Sequence, residues 1–492
     1  MLDHSSSAAP NRLTGRSHRR HRPGGALDKA VLLHLGVLTV VTAWAFGGQS
    51  PAARIWLHVW VSVGMALLFV ALAVLENNVA GIRRRALLDL WPLLLFDLLA
   101  LAGLFNPTLR VVLREKISYF MLVDPPHAWL PGCSRPDLAF HQLWLLNGIV
   151  ISAYNAFLVL RSRRELRQLL VLVVVNAVGL AIFGTFQRLV AAPGLYYGLV
   201  KSPQSYFFST FVYHNHWSAF TLLNTAVCLG LFFHTLRRSD HRDIWHSPVL
   251  AVAVAALLLA ATVPLSASRS GTVLICLLAG GALVHLLVRL LRQRRSLHES
   301  IVLPAAGIAL AGLLAAGAIA YLARDVIAQR ARLTTEQVAH MRQEDRLNSR
   351  LVLYRDTWRM AMERPWFGWG LESYGDVFRI FNTQRAVESW FGQPYYRAAH
   401  SDWLQSVAEN GVVGTGLILL LGLLPLRHSS WRRLSSTLPL YLLAGCGLVL
   451  LYAWVEFPFA NPSVLIAFWT ALYVASRYAI LDREAQNDDP AV

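Results

Sequence analysis

Twelve apolar runs constrain the fold of this chain more than any other feature. A helix needs about 20 residues to cross the hydrocarbon core of a bilayer. Runs rich in Leu, Val and Ala and close to this length occur at about 29–47, 55–76, 86–105, 141–161, 167–187, 215–234, 247–266, 271–291, 301–322, 411–427, 437–456 and 463–480. None alternates as membrane β-strands do. The sequence therefore predicts an all-α integral membrane protein with about twelve transmembrane helices.

The composition supports lipid as the surrounding solvent. Hydrophobic residues make up 55% of the 492 residues, and charged residues only 15%. A soluble protein of this size would need more polar residues to cover its surface. The net charge of +17 comes largely from short Lys and Arg clusters between the apolar runs, a pattern typical of membrane topology. No nucleic-acid partner is expected.

The charge of the loops predicts the orientation. Alternate loops are strongly basic, and the positive-inside rule places them, with both termini, in the cytoplasm. These loops contain R83-R-R85, R161-S-R-R-E-L-R167, R237-R-S-D-H-R242, R289-L-L-R-Q-R-R295 and R427-H-S-S-W-R-R433. The predicted division is a basic cytoplasmic tail at 1–28, transmembrane helices 1–9 at 29–322, a periplasmic loop at 323–410, transmembrane helices 10–12 at 411–480 and a cytoplasmic tail at 481–492.

The segment 323–410 is the only long polar stretch in this apolar chain. It carries many arginines, Arg350 among them, with acidic residues interleaved. Arginine suits phosphate because its planar guanidinium donates two parallel hydrogen bonds. The segment is therefore either an outward-facing anion-binding surface or an ordinary salt-bridged surface, and the sequence leaves both open.

Two helices are predicted within this polar segment. The first has apolar residues at helical spacing and ends at Pro365. These apolar residues are Leu347, Leu351, Tyr354, Trp358 and Met362. The second begins just after His400, where Asp402 and Gln405 fit a loose capping box, and Asn410-Gly411 would end it. The long loop before the tenth span is thus expected to be partly helical.

Three polar motifs precede spans that run inward, so they meet at the outer mouth of the bundle. They are F208-S-T-F-V-Y-H-N-H-W-S-A-F220, S266-A-S-R-S-G271 and the segment that begins at His400. Helix N-termini offer free N–H groups and a partial positive charge, which favour an anion. Together with Arg269 in the second motif and Arg188 at the outer end of the fifth run, they predict a cationic site that would fit a diphosphate.

Each of these residues also has a plainer interpretation. Arg188 and Arg269 can be interfacial residues whose side chains snorkel to the membrane surface. His214 and His216 can be interfacial hydrogen-bonding residues. A zinc site made by these two histidines and His400 is a further alternative, although the H-x-H pattern alone is a weak signal for zinc.

Several segments resemble the O-antigen ligase family, which includes related O-antigen and exopolysaccharide polymerases and protein O-oligosaccharyltransferases. The matching segments are Y213-H-N-H-W-S-A-F220, S266-A-S-R-S-G271, R350-L-V-L-Y-R-D-T-W-R-M-A-M-E-R-P-W-F-G-W-G-L-E-S-Y374 and A399-H-S-D-W-L-Q-S-V-A-E-N-G-V-V-G414. The resemblance implies a GT-C-like glycosyltransferase of the bacterial inner membrane. Such proteins pass a glycan from undecaprenyl diphosphate, on the periplasmic side, to an acceptor hydroxyl.

The resemblance also implies site residues. The family's essential periplasmic histidine matches His400, and its essential arginines match Arg269 and Arg188. The residues expected to contact substrate are His214, Asn215, His216, Arg350 and Glu456, of which Glu456 is either a general base or the partner of an arginine. Fixed arginines would neutralise the leaving diphosphate, and His400 would orient or deprotonate the acceptor. No D-x-D motif occurs in an outer loop, so neither a metal nor another cofactor is expected.

The acceptor remains open at this point. Ligation of O-antigen to lipid A–core is favoured, while polymerisation of O-antigen or exopolysaccharide, or transfer to protein, would use the same chemistry on another acceptor. A polysaccharide transporter or flippase is the alternative from another class. It would predict related halves and broken paired spans, which the sequence does not show.

Overall fold

The computed structural model describes residues 25–74, 79–114, 117–127, 129–204, 206–238, 248–300, 349–383, 396–428 and 436–488, with scattered positions between 302 and 332 that are all helical. The helices are α1 (Ala26–Trp44), α2 (Pro51–Val74), α3 (Val79–Leu104), α4 (Pro136–Val159), α5 (Arg163–Leu189), α6 (His214–Arg238), α7 (Pro248–Leu265), α8 (Arg269–Ser296), α9 (Ser349–Glu363), α10 (Tyr374–Phe381), α11 (Asp402–Leu423), α12 (Leu438–Tyr452) and α13 (Pro462–Asp488). Strands β1 (Leu109–Arg114) and β2 (Ile117–Leu122) form an antiparallel hairpin.

Among the described residues, ten helices are long and apolar enough to cross a membrane, namely α1–α8, α11 and α13. The shorter helix α12 is apolar as well, with 15 residues. These eleven helices coincide with eleven of the twelve predicted spans. The other predicted span, 301–322, lies partly outside the described residues, and positions 302–310 within it are helical. The prediction of an all-α integral membrane protein is confirmed.

Helices α4, α6 and α13 form the buried centre of the bundle. In the most apolar stretch of α13, 94% of the residues are buried, and in the corresponding stretches of α4 and α6 the share is 72%. Helix α6 packs against α7 and α12, and α4 packs against α2 and α13. In the most apolar stretch of α8, only 17% of the residues are buried. Most of its apolar surface therefore faces lipid, which solvates such side chains as well as a protein interior does.

Helix α11 is kinked at Gly411, whose φ of 64° and ψ of −176° belong to a region that essentially only glycine adopts. The kink frees backbone groups on both sides, and the loop 365–370 satisfies them. These hydrogen bonds join Trp369 to Ala408, Gly370 to Glu409, Val412 to Pro365 and Val413 to Trp366. The predicted helix end at Asn410-Gly411 is therefore a kink within a continuous helix.

The first helix predicted in the polar segment is α9, and its apolar stripe faces outward. Leu351 and Trp358 are 55% and 51% exposed, whereas Leu353 and Met360 on the opposite face are buried. Leu347 of the predicted stripe lies outside the described residues. An apolar stripe on the outside suits a helix that lies against a membrane surface.

The hairpin of β1 and β2 has no counterpart among the predicted elements. Its strands, LRVVLR and ISYFML, contain the β-branched and aromatic residues that favour strands. Each strand has only six residues, so neither is long enough to stand out as a run that crosses a bilayer.

Candidate functional site

The three polar motifs of the sequence come together at one end of the bundle. Helix α6 begins at His214, α8 begins at Arg269, α11 begins at Asp402, and α12 ends at Tyr452. The backbone N–H of Asp402 lies 2.9 Å from the Ala453 carbonyl oxygen, which ties the start of α11 to the turn after α12. The predicted meeting of these motifs is thus seen in the packing of the helix ends.

Glu456, in the turn after α12, lies at the centre of this end. Its Oε1 accepts a hydrogen bond of 2.8 Å from Nη2 of Arg350. Its Oε2 accepts one of 3.2 Å from the Tyr213 hydroxyl and lies 3.8 Å from Nδ1 of His400. The last distance suits an ion pair but is too long for a hydrogen bond. One carboxylate, 4% exposed, therefore contacts groups from three distant parts of the chain.

The surroundings of Glu456 keep it charged. Burial by itself raises the pKa of this carboxyl, but the neighbouring His400 and Arg350 outweigh burial and hold the pKa below its ordinary value. Glu456 is therefore a carboxylate at neutral pH. Burial, together with the charge of Glu456, raises the pKa of the Tyr213 hydroxyl, so this group remains a hydrogen-bond donor.

The ring of Phe457 is the apolar centre of the same cluster. His400 contacts it edge-on at 4.8 Å, Tyr213 stacks on it at 5.2 Å, and His216 meets it edge-on at 5.2 Å. Nε2 of His216 lies 3.2 Å from the Phe457 carbonyl oxygen, and its Nδ1 lies 3.3 Å from Nε2 of Gln49. A carbonyl only accepts hydrogen bonds, so Nε2 carries the proton and Nδ1 accepts from Gln49. Both ring nitrogens of His216 are thus used within the protein.

His214 and Asn215 are also buried, at 8% and 7% exposed. Nδ2 of Asn215 donates to the Tyr213 hydroxyl over 2.8 Å, and the His214 ring lies against the rings of Tyr206 and Tyr213. Asn215 therefore holds the Tyr213 hydroxyl in place, and His214 packs against the Tyr213 ring.

His400 has an unusual backbone conformation, with a φ of 52° in the left-handed region that few residues other than glycine adopt. The Tyr354 hydroxyl donates to the His400 carbonyl over 2.9 Å. Nδ1 is buried toward Glu456 while 30% of the side chain is exposed, so the Nε2 side of the ring is the accessible one. An imidazole held in this way can exchange a proton with a molecule at the mouth of the bundle.

The residues of the predicted capping box have other roles. Ser401 is the N-cap of α11, because its Oγ accepts from the Leu404 N–H. Oδ2 of Asp402 accepts a 2.9 Å hydrogen bond from the Phe459 N–H, which fastens α11 to the segment that contains the Phe457 ring.

Arg269 lies at the same end of the bundle but outside the Glu456 cluster. The preceding Ser268 shares a 2.8 Å hydrogen bond with the Tyr452 hydroxyl at the end of α12. Gly271 lies so close to α6 that a Cβ there would be 1.7 Å from Oγ of Ser218. Arg269 is therefore held between the ends of three helices, and its side chain is exposed.

Arg188 lies in the last turn of α5, beside the segment that leads into His214. Its neighbour Gln187 donates a 3.1 Å hydrogen bond to the Ser209 carbonyl, and Ser209 lies in the first motif. Arg188 is exposed. Within the part of the chain that the structure describes, neither Arg188 nor Arg269 has a side-chain hydrogen bond or ion pair with protein, so both guanidinium groups can meet an anion.

Three aromatic residues that the sequence did not predict as site residues complete the cluster, namely Tyr213, Tyr354 and Phe457. Each stood beside a noted residue: Tyr213 precedes the H-N-H motif, Phe457 follows Glu456, and Tyr354 belongs to the apolar stripe of α9. Their hydroxyl and ring contacts depend on tertiary packing, which helical spacing alone does not reveal.

Groups of three or more His, Cys, Asp or Glu side chains arranged to hold a metal ion do not occur among the described residues. The zinc interpretation requires His214, His216 and His400. His216 would have to give up a hydrogen bond to Gln49 or to the Phe457 carbonyl before either ring nitrogen could bind zinc.

Comparison with known families identifies one domain of this chain. Residues 254–421 match the family model described as O-antigen ligase, Wzy_C. That range includes Arg269, Arg350 and His400, whereas Arg188 and Glu456 lie outside it. No curated protein matches the chain. The resemblance seen in the sequence motifs is confirmed for residues 254–421, which form a domain of the O-antigen ligase type.

Proposed function

We propose that this protein transfers a glycan from undecaprenyl diphosphate to an acceptor hydroxyl on the periplasmic face of the bacterial inner membrane. The match of residues 254–421 to the O-antigen ligase family model supports a glycosyltransferase-like enzyme. The observation that carries the finer proposal is the contact of His400 with Glu456. It places a partly exposed imidazole on an ionised carboxylate at the mouth of a membrane bundle.

In this proposal His400 is the general base. The acceptor hydroxyl approaches the exposed Nε2 side of the ring, while Nδ1 faces Glu456. When Nε2 takes the proton the ring becomes an imidazolium, and the negative charge of Glu456 stabilises it across 3.8 Å. The Tyr213 and Arg350 hydrogen bonds hold the carboxylate in place for this task.

In the proposed reaction one bond forms and one bond breaks at the anomeric carbon. The acceptor oxygen forms a bond to the anomeric carbon of the glycan, and the bond from that carbon to the diphosphate oxygen breaks. The diphosphate leaves with the bonding electron pair, and the hydroxyl proton remains on His400. The diphosphate is already a good leaving group, so the protein has to neutralise its growing charge rather than protonate it.

Arg269 and Arg188 are the groups proposed to receive that charge. Both are exposed at the end of the bundle where α6 and α8 begin, and within the described residues their guanidinium groups have no side-chain partner. Arginine can bind a phosphate through two parallel hydrogen bonds. The helix N-termini at His214 and Arg269 add partial positive charge. These groups supply the positive charge that a metal ion would otherwise supply to the leaving diphosphate. Transfer should therefore persist in excess EDTA.

We propose lipid A–core as the acceptor, with ligation as the reaction. The test is a deletion strain examined by lipopolysaccharide gels together with extraction of the lipid-linked polymer. Loss of capped lipopolysaccharide while lipid-linked polymer accumulates would support ligation. A single-repeat product would indicate a polymerase, and an unchanged ladder would contradict both. Complementation with the wild-type gene, and with His400→Ala expressed at the same level, links the result to the site.

A further inference from the structure

We propose that Gln405 is a positioning residue for the reaction, which acts with Glu409 to hold the backbone beside His400. The inference rests on the proposed function of His400 as the base. Gln405 does not touch the Glu456 cluster. It acts on the chain one residue before His400, through a hydrogen-bond relay that runs along α11.

The relay begins at the buried N–H of Ala399. This residue is 0% exposed, so water cannot replace a lost partner of its N–H group. Oε1 of Gln405 accepts from that N–H over 3.1 Å. Nε2 of Gln405 points the other way and donates to Oε1 of Glu409 over 3.4 Å. A side-chain amide suits this place because it carries both an acceptor and a donor.

Glu409 connects the relay to the packed part of the polar segment. Its Oε1 also accepts a 3.0 Å hydrogen bond from the Tyr374 N–H at the start of α10. The Tyr374 hydroxyl in turn shares a 2.7 Å hydrogen bond with Oγ1 of Thr357 on α9. Tyr374 is 1% exposed and Thr357 is 0% exposed. Gln405 is therefore connected through Glu409 to a buried, hydrogen-bonded cluster of α9 and α10.

The backbone of His400 explains why such a relay is needed. Its left-handed φ of 52° is strained for a residue with a side chain, and it persists only where the surroundings fix it. The Tyr354 hydroxyl holds the His400 carbonyl on one side, and Gln405 holds the Ala399 N–H on the other. If either were lost, the peptide could relax toward ordinary φ values and carry the imidazole away from Glu456.

An exchange of side chains separates this role from a general contribution to stability. Gln405→Leu removes both hydrogen bonds. Gln405→Glu keeps an acceptor for Ala399 but places a second carboxyl against Glu409 where a donor stood. Adding Glu409→Gln to Gln405→Glu reverses the relay: the new amide at 409 donates to the new carboxylate at 405 and still accepts from Tyr374. The donor and the acceptor that join positions 405 and 409 are then exchanged.

The experiment measures turnover with lipid-linked glycan, binding of undecaprenyl diphosphate and melting in detergent for each purified variant. We expect Gln405→Leu and Gln405→Glu to lower kcat about tenfold to a hundredfold, the scale of a misplacement near 1 Å, with binding of undecaprenyl diphosphate unchanged. The exchange variant should recover most of the lost kcat. Val412→Ala, at a side chain of α11 that is 54% exposed, is the matched control and should keep wild-type kcat.

Two results would overturn the inference. One is a folded Gln405→Leu protein with kcat within threefold of wild type. The other is an exchange variant no more active than Gln405→Glu, and this comparison decides the matter if Gln405→Leu does not fold. His400→Ala separates a failure of the proposed function from a failure of the positioning role. If that variant retains turnover, the proposed function fails; if it is inactive while the Gln405 variants are fully active, only the positioning role fails.

Discussion

At the scale of the residue, the proposed chemistry depends on one carboxylate. Glu456 had two interpretations in the sequence, as a general base or as the partner of an arginine. The structure pairs it with Arg350 and places it against His400 at the same time. Because its pKa is held below the ordinary value, it is a poor base at neutral pH and well suited to stabilise a positive imidazolium. The base in the proposal is therefore His400.

Glu456→Gln tests that division of roles. The amide keeps the shape and an acceptor for Tyr213 or Arg350 but loses the charge that stabilises the imidazolium. We expect kcat to fall about tenfold or more, a part of the roughly 10²–10⁴-fold that a general base contributes. Glu363→Gln, at an exposed carboxylate on α9, is the control and should match wild type. A Glu456→Gln protein within twofold of wild-type kcat would show that the charge is not needed.

Some residues of the site could be predicted from sequence and others could not, for a physical reason. His400, Arg269 and the H-N-H motif stand out because polar groups at the ends of apolar runs are conspicuous. The contact of Glu456 with Arg350 joins positions 106 residues apart, and no local pattern reports such a contact. His216 appeared as a substrate-binding candidate, but Gln49 and the Phe457 carbonyl occupy both of its ring nitrogens, and Gln49 lies 167 residues away.

At the scale of the element, the kinked α11 determines where His400 lies. Its first half carries the relay from Gln405 to Glu409, and its second half continues the span. The two halves meet at Gly411 against the loop 365–370. Hydropathy predicted the second half as a span and the capping signals predicted the first as a helix. The pairing of loop 365–370 with the kink could not be predicted, because it depends on how distant backbones approach.

Gly411→Ala should damage this element. A Cβ at position 411 would lie 2.2 Å from the Trp366 carbonyl oxygen, and the backbone conformation alone costs about 1–3 kcal/mol for a residue other than glycine. We expect a clearly lower melting temperature in detergent and loss of turnover. Gly416→Ala on the same helix is the matched control, since nothing lies within 4 Å of a Cβ there. Equal melting of the two variants would show that the kink is dispensable.

At the scale of the whole molecule, the proposed site and the arginines at 289–295 lie at opposite ends of α8. The site gathers the N-termini of α6, α8 and α11, while the arginines at 289–295 lie at the C-terminal end of α8. With 28 residues, α8 is about 42 Å long at 1.5 Å per residue, enough to separate the two ends by a full membrane. The spans were predictable because hydrophobicity is a local property of the sequence.

Alkaline phosphatase fusions should test the proposed orientation. Alkaline phosphatase is active only after export. A fusion after Arg350 should therefore be active, and one after Arg295 should be inactive. The physical reason is the alternation of basic loops in the sequence, from which the positive-inside rule predicts that the arginine-rich ends of the helices face the cytoplasm. Immunoblots that show equal amounts of the two fusions serve as the control. The reverse pattern of activity would place the site in the cytoplasm and contradict the proposed reaction.

In the proposed reaction His400 acts on the acceptor while Arg269 binds the donor diphosphate, and one paired measurement tests both roles. Turnover with lipid-linked glycan and binding of undecaprenyl diphosphate are measured on purified, folded His400→Ala and Arg269→Ala. We expect His400→Ala to lose about 10²–10⁴-fold in kcat with donor binding intact, and Arg269→Ala to lose donor binding. A folded His400→Ala enzyme that turns over near the wild-type rate would contradict the account.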